Sequence, residues 1–109
     1  MTEQEIKKFL KSHFYATQKI KALTEEAELL SEDKKKTIEI EIAELKEQQE
    51  RVRKAIAELH DNDFESVLIY RYVLYNTEEQ TADKLHYAPR TVQEKVKKAI
   101  KKICANWSK

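Results

Sequence analysis

The sequence predicts an all-α protein, built as an N-terminal antiparallel coiled-coil helical hairpin followed by a three-helix helix-turn-helix module. Three observations predict it. The 109 residues include no glycine and one proline while 38% are charged, which leaves few tight turns and many solvated helix faces. Up to residue 60 the apolar positions alternate in steps of three and four. Beyond it, short stretches open on capping signatures instead. The change of pattern divides the chain into a hairpin over 1–60 and a helix-turn-helix module over 61–109.

From Ile6 the apolar positions run Ile6, Phe9, His13, Ala16, Ile20, Leu23, Ala27 and Leu30, a coiled-coil seam. The seam stops at "SEDKKK" (31–36) and resumes as Ile38, Ile42, Leu45, Gln49, Val52, Ile56 and Leu59. Two seams of similar length around a polar turn near 31–36 predict two antiparallel helices, each about 40 Å long at 1.5 Å per residue. The polar seam members His13 and Gln49 cost stability and fix register. Leu10, Phe14, Tyr15, Leu29 and Ile40 lie off the seam and want a further partner. They are the candidate oligomerisation residues, with a homodimer closed as a four-helix bundle the expected assembly. Phe9, Phe14 and Tyr15 also sit at the hairpin end where residue 60 leads on, placed to receive the C-terminal helices.

After His60, Asn62 followed three residues later by Glu65 has capping-box character and predicts a helix from about Asp63 to Tyr75. Its inward residues are Phe64, Val67, Leu68, Tyr72 and Val73 or Leu74. Thr77 with Gln80 is a cleaner capping box, and Glu78 and Glu79 suit a helix N-terminus. That helix is brief, carrying Ala82 and Leu85 inward and ending near His86. Pro89 then opens the next one, because a first-turn proline gives up an N–H that would have no partner there and disfavours helix in the residue before it. The last helix runs from Pro89 to about Asn106 with Val92, Val96, Ala99, Ile100, Ile103 and Trp107 as its apolar stripe. Short helix, three-residue turn and long helix with a polar, basic outer face make a helix-turn-helix layout.

Charge sharpens this. Residues 88–109 hold seven Lys or Arg against Glu94 alone, whereas residues 61–87 hold two against six. A basic stripe on one helix is the footprint of a polyanion partner. Several other classes are disfavoured. No apolar run approaches the roughly 20 residues of a membrane span, and the opening stretch lacks a signal peptide's apolar core, so a soluble, cytoplasmic protein is expected. Single Cys104 makes no intrachain disulfide, His13, His60 and His86 are scattered without metal-ligand spacing, and there is no phosphate-cradling glycine loop. No enzyme activity, catalytic residue, metal, cofactor or small-molecule substrate is expected.

The stretch "ESVLIYRYVLYNTEEQTADKLHYAPRTVQEKVKKAIKKI" (65–103) resembles region four of sigma-70-type factors, and more closely the small phage and prophage regulators built on it, the ArpU-like transcriptional regulators. Arg71-Tyr72, Ala82, Leu85, Thr91-Val92, Ala99-Ile100 and Ile103 carry the resemblance. Ala88 and Thr81 depart from the pattern, standing where the family has a Ser cap and an aliphatic residue. The resemblance implies a phage-type transcriptional regulator in the bacterial host cell, bound to double-stranded DNA and touching RNA polymerase.

In such a module the start of the last helix enters the major groove. Arg90, Gln93 and Glu94 are then the candidates for base edges, since Arg suits guanine, Gln suits adenine and Glu accepts from cytosine N4. Thr91, Lys97 and Lys98 are candidates for phosphates, with Thr77 at the other helix start; Lys101 and Lys102 read as a solvated face. Two alternatives stand beside this reading. One is a protein-interaction adaptor whose degenerate helix-turn-helix only caps the hairpin. The other is a small-terminase-like phage DNA packaging protein, although in those the DNA-binding part usually comes first.

Overall fold

A computed structural model describes residues 1–107 of the chain, so the last two positions of the 61–109 segment lie outside the described residues. The protein is all-α. Its helices are α1 (Glu3–Ala27), α2 (Glu32–Ala57), α3 (Asn62–Leu68), α4 (Glu78–Leu85) and α5 (Pro89–Trp107), with a π-helical turn over Ile69–Val73 between α3 and α4. No strand occurs among the described residues.

α1 starts at a full capping box, with the Glu5 amide donating to Thr2 Oγ1 and the Thr2 amide to the Glu5 carboxylate, each over 3.2 Å. Those bonds to Thr2 hold the Glu5 carboxyl below its usual pKa. The connection to α2 falls earlier than "SEDKKK" suggests. It occupies residues 28–31, and most of that charged run is the first turn of α2, opened by Ser31 with Glu32 and Asp33 at the positive end of the helix dipole. Charge there marks a helix start, not the loop.

Cross-links between the two long helices form a polar belt: Gln48 Nε2 donates to Ser12 Oγ (2.8 Å), Gln49 Nε2 to Thr17 Oγ1 (2.7 Å), and Arg53 NH1 lies 3.2 Å from His13 Nε2. On the side of the belt nearer residue 60, Ile6, Leu10, Val52, Ile56 and Leu59 are fully buried. Beyond it Ile20, Leu23, Ile42 and Leu45 stay half-exposed, because only the two helices cover one another there.

Leu10 therefore needs a correction. Expected on an outer flank as an oligomerisation residue, it is sealed in the core, because α1 is packed at this end by α2, α5 and the π-helical turn together. Phe14 is half-buried for a related reason, lying face to face with Tyr75 at an interplanar angle of 5°. Tyr15, Leu29 and Ile40 are exposed.

The helix expected over 63–75 is broken into two kinds of turn. Asp61, not Asn62, is its cap, accepting from the Phe64 amide over 3.0 Å. After Leu68 the backbone widens: the Leu74 amide reaches the Ile69 carbonyl, and both the amide and Nδ2 of Asn76 donate to the Tyr70 carbonyl. Arg71 NH1 donates in turn to the Asn76 carbonyl. This reach-back across six residues holds the wide π turn in place of a further α turn.

One cluster of buried side chains crosses residue 60, joining Leu10, Val52 and Ile56 to Val67, Leu68, Ala99, Ile100 and Ile103. Further ties fasten α5 to the base of α1 and the end of α2. Phe9 meets Trp107 edge to face at 4.9 Å between centroids, the Cys104 thiol donates to the Met1 carbonyl over 2.8 Å, and Lys102 Nζ donates to the Leu59 carbonyl over 2.8 Å. Lys102 thus closes a helix end, which a face of free lysines would not do.

Candidate nucleic-acid interface

α4 begins at the capping box read from the sequence, the Gln80 amide donating to Thr77 Oγ1 (3.1 Å) and the Thr77 amide to Gln80 Oε1 (2.9 Å). It ends at His86, a non-glycine residue in the left-handed region (φ 59°), where the Tyr87 amide reaches back to the Ala82 carbonyl. Residues 86–88 then turn the chain into α5. Tyr87 locates that turn: its hydroxyl donates to Asp63 Oδ1 (3.2 Å), and Lys95, 3.5 Å from the same carboxylate, lies over its ring. Through Asp63, α3 is fixed both to this turn and to α5, at residues 24 or more positions further along the chain.

The Val92 amide donates to the Ala88 carbonyl, which makes Ala88 the residue before the first turn. It brings no side-chain oxygen to that helix start, and Pro89 brings no N–H. From there Val92, Ala99, Ile100 and Ile103 face the core. At 100° per residue this sends Arg90, Glu94 and Lys98 up one outward row, with Lys97 and Lys101 in the row beside it. All five are exposed. Arg90 and Glu94 lie 3.6 Å apart with most of both side chains in solvent, a pairing weak enough to exchange for another partner.

The remaining candidates sit apart from that face. Gln93 is turned towards α4 and donates to Glu78 over 2.7 Å, so it is already engaged. Thr91 is half-buried on the opposite flank of α5, about 200° away from Gln93 at 100° per residue. Thr77 is exposed at the start of α4 beside that same Glu78.

Sequence reasoning passed over three cations on the Gln93 side. Lys7 and Lys11 of α1 and Arg71 of the π turn line one groove together with Lys97, with Glu3 and Glu78 also on its walls. The only sequence signal for it is the four-residue spacing of Lys7 and Lys11 on one helix face. Thr81 is fully buried, and its hydroxyl finds no partner among the described residues.

No helix among the described residues is long and apolar enough to cross a membrane, and no group of three or more His, Cys, Asp or Glu among them is placed to hold a metal. No family model matches the chain, and no curated protein or solved structure is significantly similar to it.

Proposed function

We propose that the protein is a phage-type transcriptional regulator, with α4, the 86–88 turn and α5 acting as a helix-turn-helix of the sigma-70 region four kind on double-stranded DNA. The observation that carries this reading is the outward row on α5: Arg90, Glu94 and Lys98 are exposed in line, on a helix whose other face is anchored in the core. Such a helix presents its N-terminal residues to a major groove, which is wide enough to admit it. Arg90 and Glu94 contact base edges, Gln93 joins them on release from Glu78, and Lys97 and Lys98 meet phosphates. Thr91 and Thr77 take phosphates at the two helix starts.

The two long helices form an arm that pairs with a second copy or receives a partner such as RNA polymerase. Exposed Leu29 and Ile40 and the half-exposed seam beyond the polar belt support this part of the reading. The test of the whole is a selection of bound sequences from random duplex DNA at physiological salt. Enrichment of a common motif is expected. Weak, salt-labile binding with no motif enriched overturns sequence-specific regulation and favours the adaptor reading.

A further inference from the structure

We infer that the DNA-binding surface does not stop at α5 but continues onto α1, where Lys7 and Lys11 with Arg71 form a track for one strand's phosphates. The inference rests on the DNA reading above and extends it to a part of the chain that no helix-turn-helix supplies.

Lys7, Lys11, Arg71 and Lys97 come from three elements and converge on one groove of about 660 Å³. Two carboxylates, Glu3 and Glu78, stand on the same walls, and Glu78 is held by Gln93. Cations therefore outnumber acids by four to two there, in a chain whose total charge is only +1.

The placement is specific. Lys97 belongs both to this groove and to the outward rows of α5, so a strand meeting α5 at Lys97 is led directly between α5 and α1. Lys7 and Lys11 are one helical turn apart, about 6 Å along α1, which is close to the spacing of successive phosphates along a strand. Their ammonium groups form no ion pair with a carboxylate among the described residues. Arg71 is the fixed member, its guanidinium held against the Asn76 carbonyl and beside the Tyr72 ring. A second, smaller groove shares Lys11 and Arg71 and leads on to Thr77 at the start of α4. Exposed lysines on α1 and a fixed arginine beside them make a surface for a polyanion of extended form. A single small anion would use only part of it.

The test measures the binding of the full chain to its selected duplex across a salt series. Replacing both Lys7 and Lys11 by Gln should lower affinity for selected and random duplexes by the same factor. It should also reduce the slope of log affinity against log salt by about 1.8, since each phosphate left without its lysine removes about 0.9. Glu3→Gln should strengthen binding, and Lys35→Gln with Lys36→Gln at the far end of the arm should change nothing. Unchanged affinity and slope in the Lys7/Lys11 variant, with its helix content and melting intact, overturns the track. If Arg90→Ala still alters base preference in that case, the DNA reading survives without it. Absence of DNA binding by the unaltered protein removes both. Should the double variant fail to fold, the single variants Lys7→Gln and Lys11→Gln, each expected to give half the change in slope, decide the matter.

Discussion

Phe14 of α1 stacks on Tyr75 with ring centroids 3.3 Å apart, and Tyr75 is held with φ at 58°, in the left-handed region that disfavours a bulky side chain. The stack contributes to keeping Tyr75 there and so to setting the direction in which the chain leaves the π turn for α4. Phe14→Ala should destabilise the fold by about 2 kcal/mol, from reduced burial and the missing ring pair. Phe14→Leu, which keeps most of the apolar volume, should cost less. Urea titration followed by circular dichroism measures both, and equal losses would show that stacking adds nothing to burial.

Thr81 buries a hydroxyl with no partner among the described residues. Thr81→Val keeps the shape and removes the polar atom, so it should stabilise the protein by about 1 kcal/mol. A lower melting temperature would mean that the hydroxyl has a partner in solution.

His13 is buried, and burial first and the nearby Arg53 charge second push its pKa below the ordinary 6.5. The ring is neutral in the fold, with Nε2 accepting from Arg53 and Nδ1, the protonated nitrogen, left without a partner among the described residues. The unfolded chain takes up the proton at higher pH than the folded one. Stability from the neutral ring is thus fully present above about pH 6.5 and is lost as pH falls below it. Unfolding midpoints measured between pH 8 and pH 5.5 should fall on the acid side, and His13→Leu should flatten that fall. A protein equally stable across the range would refute the assignment.

On α5 the expected consequences divide by role. Arg90→Ala should lose base preference while keeping general affinity, and Lys97→Ala should weaken all sequences alike and lower the salt slope by about 0.9. Competition binding with altered duplexes separates the two. No effect from either change would mean that α5 is not the reading helix.

The arm should pair. Sedimentation of the unaltered chain at micromolar concentration should give twice the chain mass, and Leu29→Glu with Ile40→Glu should give a monomer whose helix content is unchanged. A monomer from the unaltered chain would leave these exposed side chains to a different protein.

The all-α class and the starts of α4 and α5 were legible because they depend on local chemistry. Thr77 and Gln80 cap α4 as their spacing dictates, and Pro89 opens α5. The π turn was not legible, since its cause is Asn76 reaching back to Tyr70 while Arg71 reaches forward to Asn76, and neither bond leaves a periodic trace. Leu10 was misplaced because a heptad describes a helix with one neighbour, and the base of α1 has three. Of the expected site, the outward row of α5 follows from its apolar stripe. The engagement of Gln93 by Glu78, fifteen residues away, depends on how α4 and α5 cross, and pattern alone does not give that crossing.

Phe9 against Trp107 and Met1 against Cys104 have a mechanical consequence. They fasten the root of the arm to the far end of α5, in a molecule 50 Å long and 21 Å thick, so that the base of α1 and the last turns of α5 form one packed unit. For DNA at α5 and a partner at the tip, as proposed above, any effect of one on the affinity for the other would be reciprocal and equal in factor.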